Sequence, residues 1–305
     1  MELVQADLLD LPALTRAFHD VEVVYHLAGL ISLSEQDDAR MQAINVEGVR
    51  NVLAACHASG VRRLVHFSSI HALVQEPFST PVDEDRPLAS SSRHTPYERS
   101  KAAGEALVRQ AIAEGLDGLI LNPTAIFGPY DFRPSFFGQA LILMATGRLP
   151  VLVSGGFDWV DVRDVADAAI QAAQFAPSGS RFLLSGHWRS ISQVAHSVAR
   201  LTGAHPPRIS VSLGLAYYAA PLVKLFALLN GSRPLYTRVS LGALRSNRKI
   251  SHAHASQVLY FRPRPFEETL QDTLDWFIDN GFIQFQPDHS RAMQMVKRPN
   301  QKKSG

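Results

Sequence analysis

At 305 residues with 46% apolar side chains, the chain is long enough for one large domain or two small ones around a sizeable core, which excludes disorder as the general state. A net charge of +2, with lysine concentrated in the tail "KRPNQKK", offers no basic face for nucleic acid, and one cysteine, Cys56, excludes a disulfide framework and a Cys/His metal cluster. The opening "MELVQADLLD" has neither the basic nor the apolar region of a secretory signal, so a reducing cytoplasm is the expected location.

Short runs rich in Val, Ile and Leu alternate with stretches of helical periodicity, the pattern of βαβ units and of a parallel sheet buried on both faces. The expected fold class is α/β: a Rossmann-like doubly wound parallel sheet with a smaller, interleaved C-terminal substrate-binding part. Strands are expected at 2–6, 22–28, 63–69, 118–124 and 181–186, with helices over "LPALTRAFHD", "RMQAINVEGVRNVLAACHASG" and "TPYERSKAAGEALVRQAIAEG". Thr95 and Glu98 form a T-x-x-E capping box and Pro96 takes the first helical position, so Tyr97 falls in the opening turn.

The alternation weakens from about residue 129. Residues 1–186 are therefore assigned to the sheet domain, with 129–150 contributing to the substrate part; 187–290 form mainly the substrate part, and 291–305 a disordered basic tail. The apolar run 213–231, broken by Pro221 and Lys224, is expected to be a buried or lid helix, with weak contact to a membrane surface as the alternative.

In an open parallel sheet, ligands sit beyond the carboxyl ends of the strands. "HLAG" ends there at Ala28 and Gly29, "FSS" at Ser68 and Ser69, and "NPTAIFGP" begins there at Pro123 and Thr124. Tyr97 and Lys101 share one helix face. A tyrosine hydroxyl titrates near ~10 in water, too high for ready proton exchange at neutral pH, and a nearby ammonium is expected to lower it. Ser69 would hydrogen-bond the same substrate oxygen, giving a site for interconverting a carbonyl and a hydroxyl.

Seven motifs then resemble the extended short-chain dehydrogenase/reductases, which include NAD-dependent epimerases and dehydratases, 3-beta-hydroxysteroid dehydrogenases and dihydroflavonol reductases. They are "ADLLD", "VVYHLAG", "INVEGVRNVLAAC", "LVHFSSIHAL", "PYERSKAAGE", "LNPTAIFGP" and "WVDVRDVADA", in family order over most of residues 1–170. The resemblance implies an NAD or NADP cofactor, not distinguishable from each other, and Ser69, Tyr97 and Lys101 as catalytic residues. It also implies that Lys101 grips the nicotinamide ribose, Asp7 and Leu8 touch the adenine, Ala28 and Gly29 the pyrophosphate side and Pro123 the nicotinamide, with Ser68 and Tyr97 also among the cofactor contacts. Asn45 is expected to position the site from behind, His71 and Phe127 to line the substrate pocket, and Asp161 and Asp164 to cap and open a helix. No metal is expected, and homodimers through the two long sheet-flanking helices are usual in such proteins.

One departure stands out. No G-x-G-x-x-G or related loop is present, and "MELVQADLLD" reads as the third strand of such a fold, which leaves 2–6 without a partner and 22–28 at an open edge. The expectation is a chain shortened at its N-terminus relative to a complete enzyme, or else a remnant without dinucleotide affinity; in either case residues 1–305 are expected to bind the cofactor poorly.

The leading functional expectation is NAD(P)-dependent interconversion of a secondary alcohol and a ketone on a small hydrophobic substrate. Ser69 is followed by Ile70 and His71 rather than the Asp-Glu pair of the resembled dehydratases, and Tyr217, Tyr218 and Phe226 suit an apolar ligand. A nucleotide-sugar epimerase is the alternative, with Arg233, Arg238, Arg245 and Arg248 available to a diphosphate. A catalytically silent binding protein is the third.

Overall fold

The computed structural model describes residues 2–32, 37–220, 241–242 and 244–284. A four-stranded parallel sheet is built from β1 (Val23–His26), β2 (Arg63–Phe67), β3 (Gly118–Pro123) and β7 (Arg181–Leu184), in that spatial order. Buried β-branched and leucine side chains on both faces of β2 and β3 explain why these runs read as continuous apolar stretches.

On one face lie α1 (Leu11–Ala17), α3 (Gly48–Ala58) and α4 (Pro96–Ala113), packed on Val24, Leu64 and Ile120. On the other lie α6 (Val162–Phe175) and α8 (Ala253–Leu259), packed on Val65, Phe67, Leu119 and Leu121. The period-two alternation along β2 and β3 feeds the two cores in turn. α3 is preceded by α2 (Asp38–Gln42) and a π-helical segment, Ala43–Glu47.

A second core holds the C-terminal part. It is formed around the small sheet β4 (Ala125–Phe127), β6 (Gly156–Asp161) and β8 (His187–Ser190), the pair β5 (Leu152–Val153) and β9 (Ser210–Val211), and helices α5 (Phe136–Ala145), α7 (Ile191–Thr202) and α9 (Phe266–Asp279). The chain crosses between the two parts repeatedly, since β7 and α8 return to the main sheet after β6 and β9.

Residues 2–6 do not form the expected strand; they are irregular, with Leu3 85% and Val4 59% exposed. A strand needs a neighbour for its backbone donors and acceptors, and among the described residues no strand pairs with this segment. β1 is an edge strand, with Tyr25 and Leu27 exposed. Residues 213–220 are helical, with Tyr217 and Tyr218 exposed. The rest of the 213–231 run, Phe226, Arg233, Arg238 and the 291–305 tail lie outside the described residues.

Candidate active site

The site is assembled where α4 meets the carboxyl end of β2. The Thr95 hydroxyl accepts from Glu98 N at 3.3 Å while Glu98 Oε2 accepts from Thr95 N at 2.7 Å, so the capping box forms and sets the start of α4. Tyr97 and Lys101 follow, one turn apart, over the segment that continues β2 through Ser68 and Ser69. Ser69 is itself a helix cap, its hydroxyl accepting from His71 N at 3.2 Å at the start of a short 3₁₀ turn, Ile70–Ala72.

The Tyr97 phenol lies next to Ser69. Burial pushes its pKa above the ordinary value; the neighbouring Ser69 side chain opposes this and the Glu98 carboxylate adds to it. The expected lowering of Tyr97 by Lys101 is therefore corrected. The Lys101 ammonium donates instead to Phe67 O at 2.9 Å, and desolvation of the phenol outweighs the other influences on it. Burial also brings Lys101 down to about 8, against the opposing field of Glu105.

Asn45, within the π-helical segment, pins the loop after β1. Its Oδ1 accepts from Leu30 N at 2.7 Å, and its Nδ2 donates to Leu30 O at 2.9 Å and to Ser100 Oγ at 3.0 Å. A π-helical turn redirects a side chain relative to its helix, which is a frequent feature of functional sites. The pinned loop carries Ala28 and Gly29 past Lys101: a Cβ on Gly29 would lie 3.8 Å from Lys101 Nζ and 3.4 Å from Asn45 Oδ1. Gly104 lets α4 approach this segment, since a Cβ there would collide with Asn45 O.

His71 stands beside Tyr97, ring centroids 6.4 Å apart, with Nδ1 3.8 Å from Glu98 Oε1. Pro123 is buried at the end of β3, and Thr124 N donates to Leu184 O. Asp7 and Leu8 are tied to neighbouring structure: Asp7 Oδ1 accepts from Leu9 N at 2.9 Å, and Leu8 O accepts from Asn51 Nδ2 at 2.9 Å on α3.

Phe127, expected to line the substrate pocket, lies among the packed aromatic side chains of the second core. It is 7% exposed in the C-terminal core, against Phe137, Trp159 and Phe266 at centroid distances of 5.5, 5.8 and 5.3 Å. Alternation along β4 turns its ring inward and Ile126 outward. Asp161 caps α6, accepting from Arg163 N at 2.7 Å and Thr269 Oγ1 at 2.8 Å, and Asp164 pairs with Arg264 at 2.6 Å. Both join α6 to the chain around α9.

Sequence reasoning missed a buried polar layer under the site. Glu105 accepts from Ser68 Oγ at 2.6 Å and Asn122 Nδ2 at 2.8 Å and pairs with Arg181 at 3.0 Å. His26 and His66, on adjacent strands, approach Nδ1 to Nδ1 at 3.1 Å. Glu105 carried a readable signal, an acidic residue on the apolar face of α4 four positions after Lys101; the histidines, inside strand runs, carried none. The assembled cluster is a phenol, a chemical group able to give or take a proton, with a serine beside it and a half-buried ammonium behind them.

The sequence profile of the NAD dependent epimerase/dehydratase family matches residues 1–184. Sterol demethylase protein B of Methylococcus capsulatus is 31% identical over 93% of this chain and 87% of its own length. The 3beta-hydroxysteroid-dehydrogenase/decarboxylase isoform 1 of Arabidopsis thaliana is 27% identical over 91% of this chain and 67% of its own. Among solved structures, a nucleoside-diphosphate-sugar epimerase from Pseudomonas aeruginosa superposes with a TM-score of 0.72 at 22% identity, covering 92% of this chain and 83% of that one, a likeness of fold.

Proposed function

Because this chain belongs to the NAD-dependent epimerase/dehydratase family of enzymes, we propose that it interconverts a secondary alcohol and a ketone on a hydrophobic substrate, with NAD or NADP as cofactor. The observation that carries this reading is the Tyr97 phenol beside Ser69, with the half-buried Lys101 ammonium one turn along the same helix and donating to the end of β2. When bound, the cofactor supplies or accepts a hydride. The residues present fit part of it, the side away from the missing glycine-rich loop: the exposed Ala28–Gly29 loop lies beyond the carboxyl end of β1, without a side chain at Gly29 to fill the space beside Lys101 Nζ. Lys101 and Tyr97 would hold the nicotinamide ribose, Ala28 and Gly29 the pyrophosphate side, Asp7 and Leu8 the adenine, and Ser68 and Pro123 the nicotinamide end.

In the reducing direction Tyr97 gives its proton to the substrate oxygen while Ser69 hydrogen-bonds the same atom and steadies its charge; in oxidation Tyr97 takes the proton back. A hydrophobic substrate is supported by the relatives named for sterol and hydroxysteroid chemistry and by the exposed Tyr217 and Tyr218 of the C-terminal part. A nucleotide-sugar epimerase is the second reading, favoured by the exposed Arg245 and by Arg248, whose guanidinium stacks on Trp188 at 4.4 Å.

Cofactor absorbance separates the two. Incubation with NADH or NADPH and a panel of hydrophobic ketones, sterol ketones among them, should consume reduced cofactor in proportion to alcohol formed. Interconversion of nucleotide sugars with no net change in cofactor absorbance would instead establish the epimerase.

A further inference from the structure

Glu105 lies one turn beyond Lys101 on α4 and is completely buried, a place where a carboxylate is stable only with partners. Arg181 at the start of β7 supplies the ion pair at 3.0 Å, and Ser68 Oγ and Asn122 Nδ2 donate to Glu105 at 2.6 and 2.8 Å. The same Asn122 amide donates to Ser69 O at 3.0 Å. Three consecutive residues at the end of β2 are thus each tied to this layer: Phe67 O to Lys101, Ser68 Oγ to Glu105, and Ser69 O to Asn122.

The charges around Lys101 point the same way. His26 on β1 and His66 on β2 both feel its charge, and burial keeps both imidazoles neutral near pH 7. Asn45, facing from the π-helical segment, carries no charge. Glu105 is the carboxylate whose field reaches Lys101 and opposes the loss of its proton.

We propose that Glu105 is a positioning residue of this site: its carboxylate, paired with Arg181, keeps Lys101 an ammonium and fixes the Ser68–Ser69 segment against which Tyr97 works. The inference rests on the catalytic reading of Ser69, Tyr97 and Lys101 above, but its test does not require turnover. The ionisation of Lys101 is followed by NMR titration of isotope-labelled lysine side chains, with Lys101→Met assigning the signal.

Glu105→Gln alone would leave Arg181 buried without its partner, so the charge is removed in the pairs Glu105→Gln/Arg181→Met and Glu105→Gln/Arg181→Gln, the second keeping two amides that can bond to each other. In whichever pair is folded by circular dichroism, the Lys101 midpoint should fall, by up to about one pH unit, because Glu105 and not Arg181 is the charge felt at Lys101. Glu105→Asp, which retains the charge, should restore a midpoint near that of the unaltered protein. An unchanged midpoint in a folded charge-removed variant overturns the proposal and leaves Glu105 a packing residue. If the midpoint shifts as expected but the unaltered protein reduces no ketone, the functional reading fails and this inference stands.

Discussion

Tyr97 and Lys101 share a face of α4, yet their side chains meet different neighbours: the phenol lies beside Ser69, and the ammonium donates to Phe67 O at 2.9 Å. Burial leaves the phenol protonated well past neutrality, ready to act as an acid. Ketone reduction should therefore hold its rate from neutral pH up toward 10. Alcohol oxidation, which needs the phenolate, should keep rising with pH toward and beyond 10. Initial rates in both directions across pH check this, and an oxidation rate that falls between pH 7 and 9 in the folded protein would contradict it.

Lys101 illustrates a conflict between function and stability. Its pKa falls from 10.5 in the unfolded chain to about 8 when folded, so the native state binds fewer protons between those values and stability rises with pH across that window. Below pH 8 the cost of holding a buried ammonium is fully present. Lys101→Met should raise unfolding free energy at pH 7 by on the order of 2 kcal/mol while abolishing turnover, with the gain fading toward pH 10. Denaturant unfolding at several pH values measures it.

Acid should loosen the same region. His26, brought from 6.5 to about 4 by burial and by Lys101, and His66, lowered well below its ordinary value by burial, His26 and Lys101, are neutral in the folded protein and protonate readily once unfolded. The unfolded state then binds more protons between pH 6.5 and 4, so stability drops as pH falls through that window. His26 alone accounts for a loss on the order of 3 kcal/mol. The His26→Leu/His66→Leu pair should show a much shallower loss in thermal melts between pH 6.5 and 4.

Gly104 is required by distance rather than by backbone conformation. A methyl group there would overlap Asn45 O, a backbone atom that cannot turn aside. Gly104→Ala should destabilise by about 1–3 kcal/mol, despite alanine's better helix propensity, and lower turnover by moving Lys101 relative to the Gly29 loop. A melting temperature equal to that of the unaltered protein would show that α4 and the π-helical segment do not need this approach.

What the sequence disclosed follows chain distance. The capping box of Thr95 and Glu98, the shared face of Tyr97 and Lys101, and the strand ends at Ser69 and Pro123 depend on residues a few positions apart, and periodicity and capping chemistry reveal them. Glu105 with Arg181 and His26 with His66 are joined across 76 and 40 residues, and no local pattern announces such pairs. Residues 2–6 have strand propensity but no strand to pair with among the described residues, and Phe127 lies within a motif whose turn into the second core is set by packing against Phe137 and Trp159. The expected effect of Lys101 on Tyr97 was misjudged because sequence supplies spacing but neither burial nor hydrogen-bond direction.

The most direct measurement of the central claim is turnover by Tyr97→Phe, with NADH or NADPH and a ketone that the unaltered protein reduces. Removing the hydroxyl while keeping the ring deletes the proton donor with little change in packing, so kcat should fall by about 10²–10⁴-fold with the fold and cofactor affinity retained. A variant that turns over at the rate of the unaltered protein would show that the proton comes from another group.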